Sequence, residues 1–245
     1  PSTQTLASLL LRYATDITPK KKSAASEQRR IDRLLCDAIS KIRVCDLSSE
    51  ICADFRDRRI KQGQRAAAYD LQIIRHMLNI ARVEWGVNLK ANPLDKVRFP
   101  SPCKPRDRRL KEGEYDALIS AAKESGSSFL APLIVLAVET GMRVGEILKL
   151  GWSDWNQTRR SLHLKDTKNG KDRFVPLTDR AITVLQDLPK LSKRILPITY
   201  QAVKSAWQRL RKKVGVLDLR LHDLRHEAVS RFFEMGLTIP EVASI

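Results

Sequence analysis

The sequence predicts a mainly α-helical protein that carries one small β-hairpin and divides into two parts. Apolar residues recur at steps of three and four along most of the chain, most clearly from Ala67 to Trp85, and this is helical spacing. Asn169-Gly170, between two short apolar segments, is a strong signal for a two-residue hairpin turn. A proline-rich, basic segment at 91–109 lacks periodicity, so we expect a linker there, between a domain at 1–90 and a second domain at 110–245.

Composition limits the classes of protein to which the chain can belong. Its 245 residues are 42% hydrophobic and 30% charged, as in soluble globular proteins. No apolar run approaches the roughly 20 residues that cross a bilayer, and the first residues lack the layout of a secretory signal. We therefore expect a cytoplasmic protein without membrane contact.

Cysteine usage gives no indication of a metal site. The sequence contains no C-x-x-C pair, and the four histidines lie far from the cysteines, which are Cys36, Cys45, Cys52 and Cys103. We expect free, buried thiols in a reducing compartment and no bound metal ion.

The chain is strongly basic in both halves. Its net charge is +17, with 19 basic against 11 acidic residues in 1–100 and 26 against 17 in 101–245. An excess spread in this way favours a long polyanion gripped by both halves. Nucleic acid is favoured over an anionic membrane surface.

The first domain should consist of short amphipathic helices over 4–17, after Ser23 or Ser26, after Ser48, and up to Gly86. The third of these should turn Phe55 inward and its arginines outward, so Arg56 and Arg59 are candidate nucleic-acid contacts. Simple solvation is the alternative for any single arginine. The linker adds further candidate phosphate contacts, which are Lys104, Arg106, Arg108 and Arg109.

The second domain should contain a hairpin among helices over 112–123, up to Gly141, over 179–188, over 201–214, and after His222 and Thr238. Ser161–Leu164 and Arg173–Leu177 are the predicted strands, and Pro176 indicates that the second lies at an edge. Lys168 and Lys171 flank the hairpin tip. We expect Lys171 and Arg173 to contact the nucleic acid.

Two short segments contain candidate site residues. Arg143 follows Gly141, a residue typical of helix ends, and a guanidinium held there could bind a phosphate through two parallel hydrogen bonds. The alternative is an ordinary ion pair with Glu146, one turn later. His222 and Arg225 stand three residues apart at a helix start and project from one face. By itself this pair is a weak signal, because a histidine satisfied within the core is commoner.

Three motifs follow one another within about ninety residues. They are E-T-G-M-R-V-G-E-I-L-K-L at 139–150, T-K-N-G-K-D-R-F-V-P-L at 167–177 and H-D-L-R-H-E-A at 222–228. In these motifs the chain resembles the tyrosine recombinases, the phage integrase family. I-A-R-V-E-W-G at 80–86 is also similar to integrases of plasmids and integrative elements, including shufflon-type invertases. The resemblance covers essentially the whole chain.

The resemblance implies a role for each matching residue. Arg143 and Arg225 match the two arginines that hold the non-bridging oxygens of the scissile phosphate, where charge accumulates during phosphoryl transfer. Lys168 matches the lysine that protonates the leaving 5′ oxygen, and Lys171 is the alternative for that task. His222 matches a histidine that hydrogen-bonds the phosphate.

The nucleophile of the family is the part of the pattern that the chain lacks. A Gly-His pair and then a tyrosine are expected shortly after the last motif, whereas every tyrosine precedes it: Tyr13, Tyr69, Tyr115 and Tyr200. We expect residues 1–245 to hold the phosphate-binding site of a truncated recombinase and to be inactive by themselves.

The resemblance also implies an architecture and partners. It implies a C-shaped clamp on duplex DNA, a 3′-phosphotyrosyl intermediate, strand exchange by a homotetramer on two sites, and DNA-bending accessory proteins in a bacterial nucleoid. No cofactor or metal is implied, because arginines and a lysine supply the charge. The alternatives are a type IB topoisomerase, against which the separate N-terminal helical domain argues, and a non-catalytic DNA-binding accessory protein of a mobile element.

Overall fold

A computed structural model describes residues 4–102, 106–165 and 172–245. The chain divides into unit 1, residues 1–105, and unit 2, residues 106–245. Helices predominate and a small antiparallel sheet accompanies them, which confirms the mainly α-helical class that the sequence predicts. Within the described ranges, no helix is both long enough and apolar enough to cross a membrane.

Unit 1 packs its helices around one apolar core. They are α1 (Leu6–Asp16), α2 (Ala24–Leu35), α3 (Ser49–Ile60) and α4 (Gln64–Val83). Tyr13, Phe55 and Leu71 are among the fully buried side chains of this core. Ser48 caps α3 by accepting a hydrogen bond from the Ile51 amide at 3.2 Å, so the helix begins where the capping pattern predicts it.

The first part of the predicted linker belongs to the core of unit 1. Pro93–Lys96 is a 3₁₀ turn, and Leu94 and Val97 are buried against the helices. Asn92 holds the turn, because its side chain accepts from the Leu94 amide at 3.0 Å and donates to the Arg75 carbonyl at 2.9 Å. The prediction of an extended linker is wrong here. Proline interrupts the helical periodicity, and so it conceals apolar residues that a tight turn can bury.

Unit 2 is organised around the apolar helix α6 (Leu130–Thr140). The other helices are α5 (Glu114–Lys123), α7 (Val144–Ile147), α8 (Asp179–Asp187), α9 (Tyr200–Val214), α10 (Asp223–Glu234) and α11 (Ile239–Ser244). Helix α6 contacts α5, α8 and α10, which explains why it is apolar on nearly every side. Gly141 ends it in the left-handed conformation, with φ +63°, as the sequence predicts.

The sheet of unit 2 has the order β1-β2-β3 and is antiparallel. Its strands are β1 (Trp155–Asn156), β2 (Ser161–Leu164) and β3 (Arg173–Pro176). Leu164 pairs with Arg173, and Ser161 pairs with Pro176, so the proline lies on an edge strand as predicted. Strand β1, two residues long, is too short to leave a pattern in the sequence. The Asn169-Gly170 turn lies outside the described residues.

The cysteines differ in their surroundings. Cys52 is buried, and desolvation raises the pKa of its thiol to about 11. Cys36 and Cys45 are exposed, so the prediction of buried thiols is wrong for these two. Each lies at a helix end or in a short turn, beyond the apolar face that packs on the core. Cys103 lies outside the described residues.

Candidate phosphate-binding site

Gly141 joins the two segments that carry the predicted arginines. Its carbonyl accepts a hydrogen bond from the Arg225 guanidinium on α10. A Cβ atom at this position would lie 3.2 Å from Phe232 Cε2 and 3.5 Å from Ala228 Cβ, both on α10. Glycine therefore serves two purposes here: it allows the left-handed turn, and it lets α10 approach the end of α6. The motifs at 139–150 and 222–228 meet at this point.

Arginines converge on the carboxylate of Glu146. Arg143 precedes α7, and its amide and its Nη1 donate to the two oxygens of Glu146, each at 2.9 Å. Arg173, on β3, donates from Nη2 to Oε2 of the same carboxylate at 2.9 Å. Arg225 is close enough for its charge to act on Arg143 and Glu146. We call Arg143, Arg173, Arg225 and Glu146 the arginine cluster.

The electrostatics of the arginine cluster favour an anion. Burial would raise the pKa of Glu146, but the hydrogen bonds from Arg143 and the charge of Arg173 outweigh it and hold the pKa below its usual value. Desolvation, and then the charge of Arg143, lower the pKa of Arg225. A guanidinium stays charged at neutral pH even so. The cluster therefore holds more positive than negative charge.

His222 stands at the start of α10 with its side chain exposed. Its ring meets His226 edge to face, with 5.0 Å between the centroids. Desolvation lowers the pKa of His222, and the charges of His226 and Arg225 lower it further. The imidazole is therefore uncharged at neutral pH, and one ring nitrogen can donate a hydrogen bond while the other accepts.

The structure brings Arg143, His222 and Arg225 together, and it adds Arg173 to them. The sequence assigns Arg173 to DNA, and no sequence signal points to its contact with Glu146, 27 residues away. Its side chain is only 19% exposed, so it faces the protein more than the solvent. Lys168 and Lys171 lie outside the described residues, and their roles stay predictions.

Arg59 of unit 1 is buried, so the prediction that it points outward is wrong. Its Nε donates to Asp70 at 2.8 Å, and Asp70 is 1% exposed. Arg59 follows Phe55 by four residues, which places both on the inward ridge of α3, where Asp70 of α4 supplies the opposite charge. Arg56 remains partly exposed; it pairs with Asp57 at 2.7 Å and donates to the Arg98 carbonyl at 3.0 Å.

The arginines of the predicted linker have acidic partners within unit 2. The pairs are Arg106 with Asp223 at 3.3 Å, Arg108 with Asp218 at 2.6 Å, and Arg109 with Glu227 at 3.2 Å. Each pair joins residues more than a hundred positions apart, so the sequence gives no signal for it. This part of the chain is bound to unit 2, which corrects the expectation of a free linker. Lys104 lies outside the described residues.

These site residues fall within a family match. The model of the Phage integrase family matches residues 108–245, more than half of the chain, and the match includes the whole arginine cluster. The chain belongs to the phage integrase family, that of the tyrosine recombinases.

Two relatives extend the similarity beyond unit 2. The chain is 35% identical to a shufflon-specific DNA recombinase of Escherichia coli, over 98% of this chain and 65% of that protein. It is 29% identical to a putative integrase/recombinase of Haemophilus influenzae, over 91% of this chain and 76% of that protein. The chain thus spans somewhat less than two thirds of the Escherichia coli recombinase.

Solved structures share the fold. A lambda integrase dimer bound to a COC' core site matches with a TM-score of 0.81 at 22% identity, over 95% of this chain and 71% of that chain. A lambda integrase tetramer bound to a Holliday junction matches with a TM-score of 0.80 at 19% identity, over 99% and 76%. At these identities the likeness establishes the fold alone.

Proposed function

We propose that the chain is the DNA-binding and phosphate-binding part of a site-specific DNA recombinase of the tyrosine class. The observation that carries this proposal is the arginine cluster beside an uncharged His222, in a member of the phage integrase family. Three guanidinium groups against one carboxylate leave an excess of about two positive charges. A phosphodiester brings one negative charge and gains more in the transition state, so this excess suits phosphoryl transfer.

In the proposed reaction a tyrosine oxygen attacks the scissile phosphorus and loses its proton to the surrounding water. The bond from phosphorus to the 5′ oxygen breaks, and a 3′-phosphotyrosyl ester forms. Arg143 and Arg225 hold the non-bridging oxygens, and His222 donates a hydrogen bond to one of them. Lys168 gives its proton to the leaving 5′ oxygen. Attack by a 5′ hydroxyl of another strand reverses these steps and joins new partners.

We assign the nucleophile to a segment outside residues 1–245. The tyrosine rings with described contacts are engaged with other groups: Tyr13 with His76, Tyr69 with Arg30, and Tyr115 with Arg180 and Arg231. On this proposal residues 1–245 bind DNA and hold its phosphate without cutting it, and the extended protein forms the covalent ester.

We further propose that the two units close on opposite faces of duplex DNA as a C-shaped clamp. Four copies would assemble on two sites and exchange strands through a Holliday junction. The reaction would take place in the cytoplasm, where the nucleoid lies, and DNA-bending proteins would assist it. The lambda integrase dimer and tetramer on DNA support this arrangement by analogy of fold. The net charge of +17 supports contact with a long polyanion.

The test uses protein extended through the segment expected to hold the tyrosine. Arg143→Ala and Arg225→Ala should abolish the covalent protein–DNA adduct and leave most of the affinity for duplex DNA, because each supplies few phosphate contacts but much of the transition-state charge. Arg209→Ala, at an exposed arginine of α9, serves as the matched control and should form adduct normally. If Arg143→Ala cleaves at a rate close to that of the wild type, pairing with Glu146 is its whole purpose.

A further inference from the structure

An extended segment binds the helix that carries Arg225. We call this segment, Arg106–Leu110, the strap. Its arginines contact two buried carboxylates of α10, Asp223 and Glu227, which are 2% and 3% exposed. Buried carboxylates outside the arginine cluster have no part in the proposed reaction. Both lie within the motif at 222–228, on the same helix as Arg225, so we ask whether they hold that helix in position.

Glu227 is the centre of these contacts. It accepts from Arg109 Nε at 3.2 Å and Nη2 at 3.3 Å, and from the Leu110 amide at 3.1 Å. Arg231, one turn further along α10, donates from Nε at 2.8 Å. Burial would raise the pKa of Glu227, but the hydrogen bonds from Arg109 and Arg231 outweigh it, so the carboxylate stays ionised.

Two neighbouring ridges hold α10 in place. Asp223 and Glu227 stand four residues apart and form the acidic ridge that faces the strap. Leu224 and Ala228 form the next ridge, which is buried as α10 packs against α6. Apolar contacts alone are non-directional and permit a helix to shift or rotate. Hydrogen bonds on a second ridge remove that freedom and so fix the position of Arg225, which belongs to the same helix.

Each nitrogen of the Arg109 guanidinium donates to a protein carboxylate. Its Nε and Nη2 bind Glu227, and its Nη1 and Nη2 bind Glu234. A DNA phosphate that drew Arg109 away would remove two of the four described hydrogen bonds that the buried Glu227 accepts. Taking a charged partner from a buried carboxylate is destabilising. A second, exposed arginine of the strap, Arg106, uses one nitrogen, Nη2, in its described hydrogen bonds. Arg106 therefore keeps more donors for DNA than Arg109 does.

We propose that the strap positions the catalytic helix. Arg109 and Glu227 act as one pair that fixes the rotation of α10, and thereby the places of His222 and Arg225 relative to Gly141. Both are positioning residues, and the pair replaces the DNA contact that the sequence predicts for Arg109. This inference rests on the proposed function, because the phosphate to which α10 is aligned is the scissile one.

The test compares Arg109→Met, Glu227→Gln and the double variant in the extended protein. Single-turnover cleavage at saturating DNA should fall about 10²-fold in each single variant, since small displacements of aligned groups cost that much. The dissociation constant for DNA should not change. The double variant should cleave no more slowly than the worse single variant, because removing either partner already breaks the pair. Arg209→Met is the control and should keep its cleavage rate.

A neutral substrate separates positioning from general loss of structure. A methylphosphonate at the scissile position carries no charge and depends less on arginine. The defects of Arg109→Met and Arg225→Ala should therefore shrink together on this substrate, whereas partial unfolding would lower cleavage equally on both substrates. Thermal midpoints are measured first, and cleavage is assayed well below them. Glu227→Gln keeps an acceptor for the Leu110 amide, so in this variant the strap should stay attached to α10.

Two results would overturn the inference while the wild-type protein still cleaves. One is a larger dissociation constant for Arg109→Met, with the salt dependence of binding reduced by about one counterion, while the cleavage rate is unchanged. This result would make Arg109 a DNA contact. The other is a multiplicative loss in the double variant, which would show that the two residues act separately. Absence of any covalent adduct from wild-type extended protein would instead refute the proposed function.

Discussion

Replacement of Gly141 by alanine should destabilise unit 2 by an amount that the geometry allows us to estimate. A non-glycine residue in the left-handed conformation, at φ +63°, costs about 1–2 kcal/mol. The new methyl group would lie 3.2 Å from Phe232 and 3.5 Å from Ala228. Phe232 is only half-buried and can move slightly, so crowding adds about 1 kcal/mol, the lower end for overpacked positions. The expected loss is about 2–3 kcal/mol.

Gly215→Ala is the matched control for this estimate. Gly215 ends α9 at φ +81°, and no atom lies within 4 Å of a Cβ built there. Its replacement should therefore cost only the backbone term, about 1–2 kcal/mol. Urea unfolding followed by tryptophan fluorescence suits the comparison, because Trp152, Trp155 and Trp207 report on unit 2.

The functional readout of Gly141→Ala is more specific than its stability. The Gly141 carbonyl accepts from Arg225, so crowding between α6 and α10 should displace that guanidinium. Covalent adduct formation by the extended protein should fall well below that of Gly215→Ala at a temperature where both are folded. Equal stability losses in the two variants, together with equal adduct formation, would refute the close approach of α10 to Gly141.

The remaining predictions concern single side chains. Lys168→Ala should cleave an ordinary phosphodiester about 10²–10⁴-fold more slowly than the wild type. A substrate with sulfur in place of the bridging 5′ oxygen should restore the rate, because a thiolate leaves without a proton. If this substrate rescues Lys171→Ala instead, Lys171 is the acid. Asp70→Asn should lower the free energy of unfolding by about 3–5 kcal/mol, because this variant leaves the buried Arg59 without its charged partner. In the same urea titration, the control Arg56→Ala should change the free energy of unfolding by no more than about 0.5 kcal/mol. The His222 imidazole should titrate by NMR below about 6.5. Because folding lowers this pKa, the unfolded chain binds more protons than the folded chain as the pH falls through about 6.5, and the free energy of unfolding declines there. His222→Asn should weaken that decline. An NMR titration midpoint of His222 above 6.5 would contradict this prediction.

Most of the helices could be predicted because their signals are local. Ser48 caps α3 and Gly141 ends α6, and both residues are of types that mark helix ends. The spacing of apolar residues along each helix is also visible in the sequence alone. The hairpin strands follow from their alternation and from the edge proline at Pro176. The segment around Leu94 escaped prediction because its burial depends on the packing of distant helices rather than on spacing.

The site could be predicted only in part, for a related reason. Motif order makes Arg143, His222 and Arg225 candidates for the site, but a sequence displays charges without their partners. Arg59 looks like a surface arginine until Asp70, on another helix, is found beside it. Arg109 looks like a DNA contact until Glu227, 118 residues away, is found to accept from its Nε. Tertiary ion pairs are what convert candidate DNA contacts into parts of the scaffold.

In the proposed reaction Arg143 combines an ordinary ion pair with contact to the scissile phosphate. Its pair with Glu146 uses the backbone amide and Nη1, and the side chain remains 41% exposed. Among the described residues, no hydrogen bond engages its Nη2. Glu146 divides its charge between Arg143 and Arg173, so neither guanidinium is fully neutralised. The pair therefore orients Arg143 and keeps adjacent cations from repelling one another, while it leaves a donor and a net positive charge for a phosphate.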